Sequence, residues 1–161
     1  MDIVNCFLDN WIEVKTELRD AKYAIWIVTE QVPDHAIYKQ LTEKVLSELN
    51  VEIVLIGDHP YFDDNDRDFK QFINAGGEFY HFRQRFRELL MLTGFFIIDH
   101  KTVIRKISGD KTLVRKHFGN YSIIRNASGI VRQFTNGYLS IKNKYSVNLD
   151  TARSYKHSYV G

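Results

Sequence analysis

YAIWIVTEQVPDHAIYKQLTEKVLSELNVEIVLIG, Tyr23 to Gly57, decides the fold. It opens on a short apolar run, Tyr23–Thr29, rich in β-branched and aromatic residues. It closes on a second such run, Val51–Gly57, ended by a glycine. Continuous apolar runs of this length read as strands buried on both faces. Between them Ile37, Leu41, Val45 and Leu49 recur every four residues and form one helical stripe. Pro33-Asp34 is expected to open that helix, because proline suits a first helical turn. Strand, helix, strand at this spacing is a βαβ unit.

Working outward, Phe7, Leu8, Trp11, Ile12 and Leu18 lay a helical stripe over roughly Ile3–Arg19. On the other side, GDHPYFDDNDRD (Gly57–Asp68) is a loop, and Phe69, Phe72 and Ile73 mark a short helix. Gly76-Gly77 stops that helix and turns the chain into a third strand, EFYHF, Glu78–Phe82. The most apolar stretch follows: LLMLTGFFIIDHKTVIRK, Leu89 to Lys106. Its apolar part, Leu89–Ile98, falls well short of the roughly 20 residues that a membrane-spanning helix needs. It reads instead as a strand, a turn at Asp99-His100-Lys101, and a return strand. Ser108-Gly109-Asp110-Lys111 is a further turn and YSIIRN, Tyr121–Asn126, a further strand. Ile130, Val131, Phe134, Tyr138 and Ile141 line a last helix, and the tail from Asn143 is polar without a clear period. The expectation is one α/β domain over residues 1–161, a mixed β-sheet flanked by helices on both faces.

Composition narrows the class. With 44% hydrophobic and 26% charged residues, the chain reads as a soluble globular protein. Its one cysteine, Cys6, excludes an intrachain disulfide and a cysteine-based metal site, and reads as core. The start, MDIVNCFLDN, carries acidic residues where a signal peptide carries basic ones, so a cytoplasmic location is expected. The net charge of +2 hides an asymmetry: residues 1–80 hold 16 acidic and 7 basic residues, residues 81–161 hold 4 acidic and 15 basic. Folded side by side, the halves would give an acidic and a basic face; interleaved, they would cancel.

Three groups of residues carry candidate chemistry. Asp58, Asp63, Asp64, Asp66 and Asp68, with His59, could hold a hard divalent ion after a sheet strand. Their spacing does not match the calcium loop, however, and a solvated loop with Asp66 capping the next helix explains them equally. Arg83, Arg85, Arg87, Lys101, Arg105 and Lys106 form a basic series with Phe82 and Phe86 interleaved, suited to phosphate contact and base stacking. The plain alternative is a solvated surface, or cations paired with the acidic half. The six histidines are scattered, and no phosphate-binding glycine loop or nucleophile elbow occurs.

The element order and the segments AKYAIWIVTEQVPDHAIYKQL, VEIVLIGD, FINAGGEFYHF, GFFIID and NYSIIRNASGIVRQFTNGY together resemble the phospholipase D-like superfamily, in particular its small bacterial nucleases. The resemblance runs from about Phe7 to Tyr145. It implies a His-x-Lys pair ahead of the strand that ends in aspartate, with histidine attacking phosphorus and lysine holding phosphate charge. Counting back from Asp99, those positions hold Leu92 and Gly94. The Gly-Ser and Asn that follow in the family fall on Lys106, Ile107 and Gly109, and the orienting glutamate falls near Asn120. Covalent phosphoryl transfer needs a nucleophile and a charge clamp, and Leu92 and Gly94 supply neither. Rescue would fall to His81 or His100.

The expectation is a catalytically inactive phospholipase D-like domain with no catalytic residue, metal or cofactor. It would act by binding a protein or nucleic-acid partner, the latter through the basic half, and the resemblance implies a homodimer. Two other classes stay open: a metal-dependent hydrolase or nuclease using the loop at 58–68, and a small accessory or inhibitor protein that engages a partner protein.

Overall fold

The computed structural model describes residues 2–7, 12–57, 59–60, 62–83, 94–107, 120–147 and 152–155. In chain order the elements are β1 (Asp2–Phe7), α1 (Ile12–Asp20), β2 (Ala24–Thr29), α2 (His35–Leu46), β3 (Asn50–Ile56), α3 (Arg67–Ala75), β4 (Glu78–Phe82), β5 (Phe95–Ile98), β6 (Thr102–Ile107), β7 (Asn120–Arg125), α4 (Ser128–Val147) and β8 (Ala152–Tyr155). The strands form one eight-stranded sheet in the order β1-β7-β6-β5-β2-β3-β4-β8. The three strands of the βαβ segments, β2, β3 and β4, are parallel. All other pairings are antiparallel.

Side-chain alternation builds two cores, one on each face. Ile25, Ile27, Ile53, Leu55, Phe79, Phe96 and Ile104 turn toward α1, α2 and α3, where they meet Leu18, Leu41 and Phe72. Val28, Val54, Ile56, Phe82, Phe95, Ile97 and Val103 turn the other way, toward Val131, Phe134, Tyr138 and Ile141 of α4. Burial on both faces is why β2 and β3 are apolar at nearly every position. The expected mixed sheet with helices on both faces is the observed one.

Local chemistry sets the helix boundaries. Asp34 caps α2 by accepting from the Ile37 amide at 2.9 Å. The helix therefore begins one residue after the cap, at His35, and Pro33 lies before it rather than in its first turn. Asp66 caps α3 in the same way, accepting from the Phe69 amide at 3.1 Å. Gly76 ends α3 at φ +111°, a left-handed cap that glycine adopts without strain.

Two further expectations are corrected. Ile3–Phe7 is not the start of a helix but an edge strand, paired antiparallel with β7 from Asp2↔Arg125 to Phe7↔Asn120. The hydrogen-bonding edge of β7 takes up a segment whose Ile3 and Val4 favour extended backbone. The tail is also more ordered than its pattern implies. Helix α4 continues to Val147, and Ala152–Tyr155 forms β8 against the outer edge of β4. The expected turn at Ser108–Lys111 lies outside the described residues.

One buried charge ties the layers together. Glu52 on β3 is 5% exposed. It accepts hydrogen bonds from the Tyr138 hydroxyl at 2.8 Å and Lys142 Nζ at 2.7 Å, both on α4. The ammonium also stands 5.2 Å from the centre of the Tyr80 ring. Paired and hydrogen-bonded in this way, the carboxylate avoids the cost of an isolated buried charge.

Candidate functional site

Of the motif positions that the resemblance singles out, Gly94 and Asp99 lie at the two ends of β5, Lys106 and Ile107 end β6 and Asn120 begins β7, while Gly109 lies outside the described residues. The downstream end of β5 is a tight turn in which Asp99 and His100 both take positive φ, 54° and 55°. The Asp99 amide donates to the Ala24 carbonyl at 2.8 Å. Its carboxylate accepts from the backbone amides of Tyr23 at 2.7 Å, Lys22 at 2.9 Å and Ala24 at 3.0 Å, clamping the start of β2. Partial burial alone would raise the Asp99 pKa. The amides of Ala24, Lys22 and Tyr23, with the charge of Lys101, outweigh it and hold the group below the usual carboxylate value. The carboxylate points at backbone, which makes Asp99 a structural clamp.

At the upstream end the geometry differs. Phe95 pairs with Val28, so Gly94 stands at the carboxyl end of β2. Gly94 has φ +81°, a region that side-chain-bearing residues adopt only with strain. Position 94 thus lacks a lysine side chain, and its backbone disfavours one. Leu92 lies outside the described residues. The separation between Gly94 and Asp99 is about 16 Å along the strand.

Neither alternative histidine stands free near Gly94. His100 is in the turn at the Asp99 end, with its ring edge-on to Trp26 at 4.7 Å. His81 on β4 is 5% exposed and donates from Nε2 to the Gly57 carbonyl at 2.9 Å. It packs against the Phe62 ring at 5.3 Å and the His59 ring at 5.7 Å.

The basic series is divided. Arg83, Lys101 and Arg105 are exposed and carry no ion pair among the described residues. Arg83 follows β4 and Arg105 lies on β6, four strand positions away in the sheet, or about 19 Å. Lys101 stands at the far end of the β5–β6 turn. Lys106 belongs to β6, while Arg85 and Arg87 lie outside the described residues. Other cations of the basic half cross to acidic-half partners: Arg125 pairs with Glu17, and Lys142 with Glu52. Helix α4 contains no acidic residue and carries Arg132, Lys142 and Lys144, whereas α1, α2 and α3 each mix acidic and basic residues.

The aspartate loop is engaged locally. Asp63 accepts from the Asn65 amide at 2.8 Å, Asp66 caps α3, and Asp68 meets His35 Nδ1 at 2.9 Å. Among the described residues no group of three metal-ligating side chains converges; Asp58 lies outside them. None of the helices among the described residues is long and apolar enough to cross a membrane.

The sequence matches no family model and no curated protein. Solved structures do match. TrmBL2, an archaeal chromatin protein described as showing a novel mode of DNA binding, aligns with TM-score 0.68 and 12% identity over 89% of this chain. The chain spans about half, 53%, of TrmBL2. Nuc from Salmonella typhimurium, a phospholipase D family member, aligns with TM-score 0.63 and 17% identity over 96% of this chain and 98% of Nuc. NucT from Helicobacter pylori aligns with TM-score 0.58 and 10% identity over 96% of this chain and all of NucT. The α/β architecture therefore resembles phospholipase D-superfamily folds.

Proposed function

We propose that this chain is a non-catalytic phospholipase D-like module that binds nucleic acid, pairing with a second copy of itself. The observation that carries the first part is at the upstream end of β5. Leucine and glycine occupy the positions that the resemblance makes nucleophile and clamp, and Gly94 has a backbone conformation unsuited to lysine. Without a nucleophile and a cationic clamp, covalent phosphoryl transfer has no route through this position. Binding needs neither. Exposed Arg83, Lys101 and Arg105, and an α4 free of acidic side chains, favour a polyanion. The likeness to a DNA-binding chromatin protein supports the same reading.

The test is fluorescence anisotropy with labelled duplex DNA, single-stranded DNA and RNA across a salt series, beside an assay for phosphodiester hydrolysis. Binding without hydrolysis is expected. The slope of log affinity against log salt should approach about −5 if all six basic residues contact duplex phosphates. Turnover by the parent chain that is lost on replacement of His81 or His100 would overturn the non-catalytic reading. Absence of binding to all three probes at low salt would overturn the nucleic-acid partner in favour of a protein. Light scattering that gives a monomer at assay concentration would remove the pairing.

A further inference from the structure

Beyond the carboxyl ends of β2 and β3, on the side of α2 and α3, lies a cleft of about 180 Å³. Its lining is Val32, Tyr38, Phe62, Asp63, Asp66 and Phe69. Crevices outside the carboxyl ends of strands are where open α/β sheets commonly receive ligands. One wall is a fixed aromatic stack: Phe62 lies parallel to Phe79 at 5.4 Å and meets Phe69 edge-on at 5.3 Å.

The polar part of the cleft is incomplete. Tyr38 is 2% exposed, and its buried hydroxyl has no hydrogen-bond partner among the described residues. Buried hydroxyls are ordinarily paired, because an unpaired one forfeits the bonds it makes with water in the unfolded chain. Burial, and then the negative charges of Asp66 and Asp68, push the Tyr38 pKa far above the usual tyrosine value. The group is therefore a neutral phenol in a negative field, able both to accept and to donate. Asp68 is engaged by His35 Nδ1 at 2.9 Å, whereas Asp63 and Asp66 have no side-chain partner among the described residues. One oxygen of each is occupied by backbone, Asp63 Oδ1 by the Asn65 amide and Asp66 Oδ2 by the Phe69 amide.

We infer that this cleft binds a small organic cation, a primary ammonium on a short apolar stem. The stem would lie along Phe62, Phe69 and Val32. The ammonium would donate to the Tyr38 hydroxyl oxygen and to the open carboxylate oxygens of Asp63 and Asp66. Each feature excludes another ligand class. An anion meets two uncompensated carboxylates, and a purely apolar ligand leaves the phenol unpaired. A bare divalent ion lacks a converging ligand set among the described residues. A free alkylamine and a lysine side chain on another polypeptide present the same head group.

The test uses the full chain, titrated with n-butylammonium, with a lysine-containing tripeptide blocked at both ends, and with 1-butanol. Binding is read by amide chemical-shift changes and by the unfolding midpoint. Saturable shifts around Tyr38 and Asp66 are expected with either ammonium and not with 1-butanol. Tighter binding of the tripeptide would assign the source to a polypeptide lysine, and tighter binding of butylammonium to a free amine. Tyr38→Phe, which removes only the hydroxyl, should weaken ammonium binding about tenfold. Asp66→Asn should weaken it similarly while keeping a good helix cap. In the unliganded state Tyr38→Phe should unfold at the parent temperature or above it. A lower midpoint would mean that water already completes the hydroxyl, and would overturn the proposal. So would unchanged affinity in both variants, equal binding of 1-butanol, or no saturable shift.

Discussion

The two ends of β5, which the resemblance assigns to one motif, differ in kind. At the downstream end Asp99 accepts three neighbouring backbone amides and fixes the start of β2. At the upstream end Gly94 offers no side chain and a left-handed backbone. A carboxylate that clamps backbone serves the sheet whether or not chemistry takes place, whereas a nucleophile and a cationic clamp serve only the reaction. On the reading proposed above, the two ends separate a structural element of the motif from its reactive part.

Breaking the downstream end should have the largest effect. Asp99→Ala leaves three amides without their acceptor and puts alanine at positive φ. Urea unfolding should show a loss of about 2 kcal/mol, moderated by the exposure of the turn. An unchanged midpoint would remove the clamp. The charge can be separated from the geometry by acid. The folded pKa of Asp99 is lowered, so its stabilisation is present above the unfolded value of about 3.9 and is lost as pH falls through the folded one. Asp99→Asn, which keeps an acceptor and tolerates positive φ, should flatten this part of the acid unfolding profile. A profile identical to that of the parent would assign the acid sensitivity elsewhere.

The upstream end sharpens the contrast. Gly94→Lys restores the side chain that the resemblance implies, at a backbone position that opposes it. Unfolding should show a loss of about 1 kcal/mol, and the substitution should bring no gain in phosphodiester hydrolysis over the parent. A stabilised, active variant would reverse the reading of that end. The smallest effect belongs to Lys101→Ala. Its exposed charge helps to hold Asp99 ionised but is screened, so the expected loss is below about 0.5 kcal/mol and should vanish in high salt.

Much of this architecture was legible because burial on two faces leaves a plain mark. The runs Ala24–Thr29 and Asn50–Ile56 are apolar on both sides because helices cover both sides. The edges left weaker marks. Ile3–Phe7 fits a helical stripe as well as a strand, and the partner that decides the matter, β7, is far away in sequence. β8 has little apolar content of its own and is defined by the edge of β4. Glu52 was a missed signal: a lone acid inside VEIVLIG demands a buried partner, and Lys142 and Tyr138 supply it. Asp99 could be placed by counting, while its three amide donors depend on the approach of β2. Tyr38 neighbours Ile37 on the buried side of α2, and no sequence pattern reports that its hydroxyl is unpaired.

The order of the sheet also makes the molecule a measuring device. β1 and β8 occupy opposite rims, seven strand spacings apart, or about 34 Å. A donor dye attached beside β1 and an acceptor beside β8 would sit within the working range of energy transfer. Loss of either rim strand from its neighbour would change the transfer efficiency while the central parallel strands stayed intact. Fraying of the edges could then be followed separately from collapse of the core, in one sample and in real time.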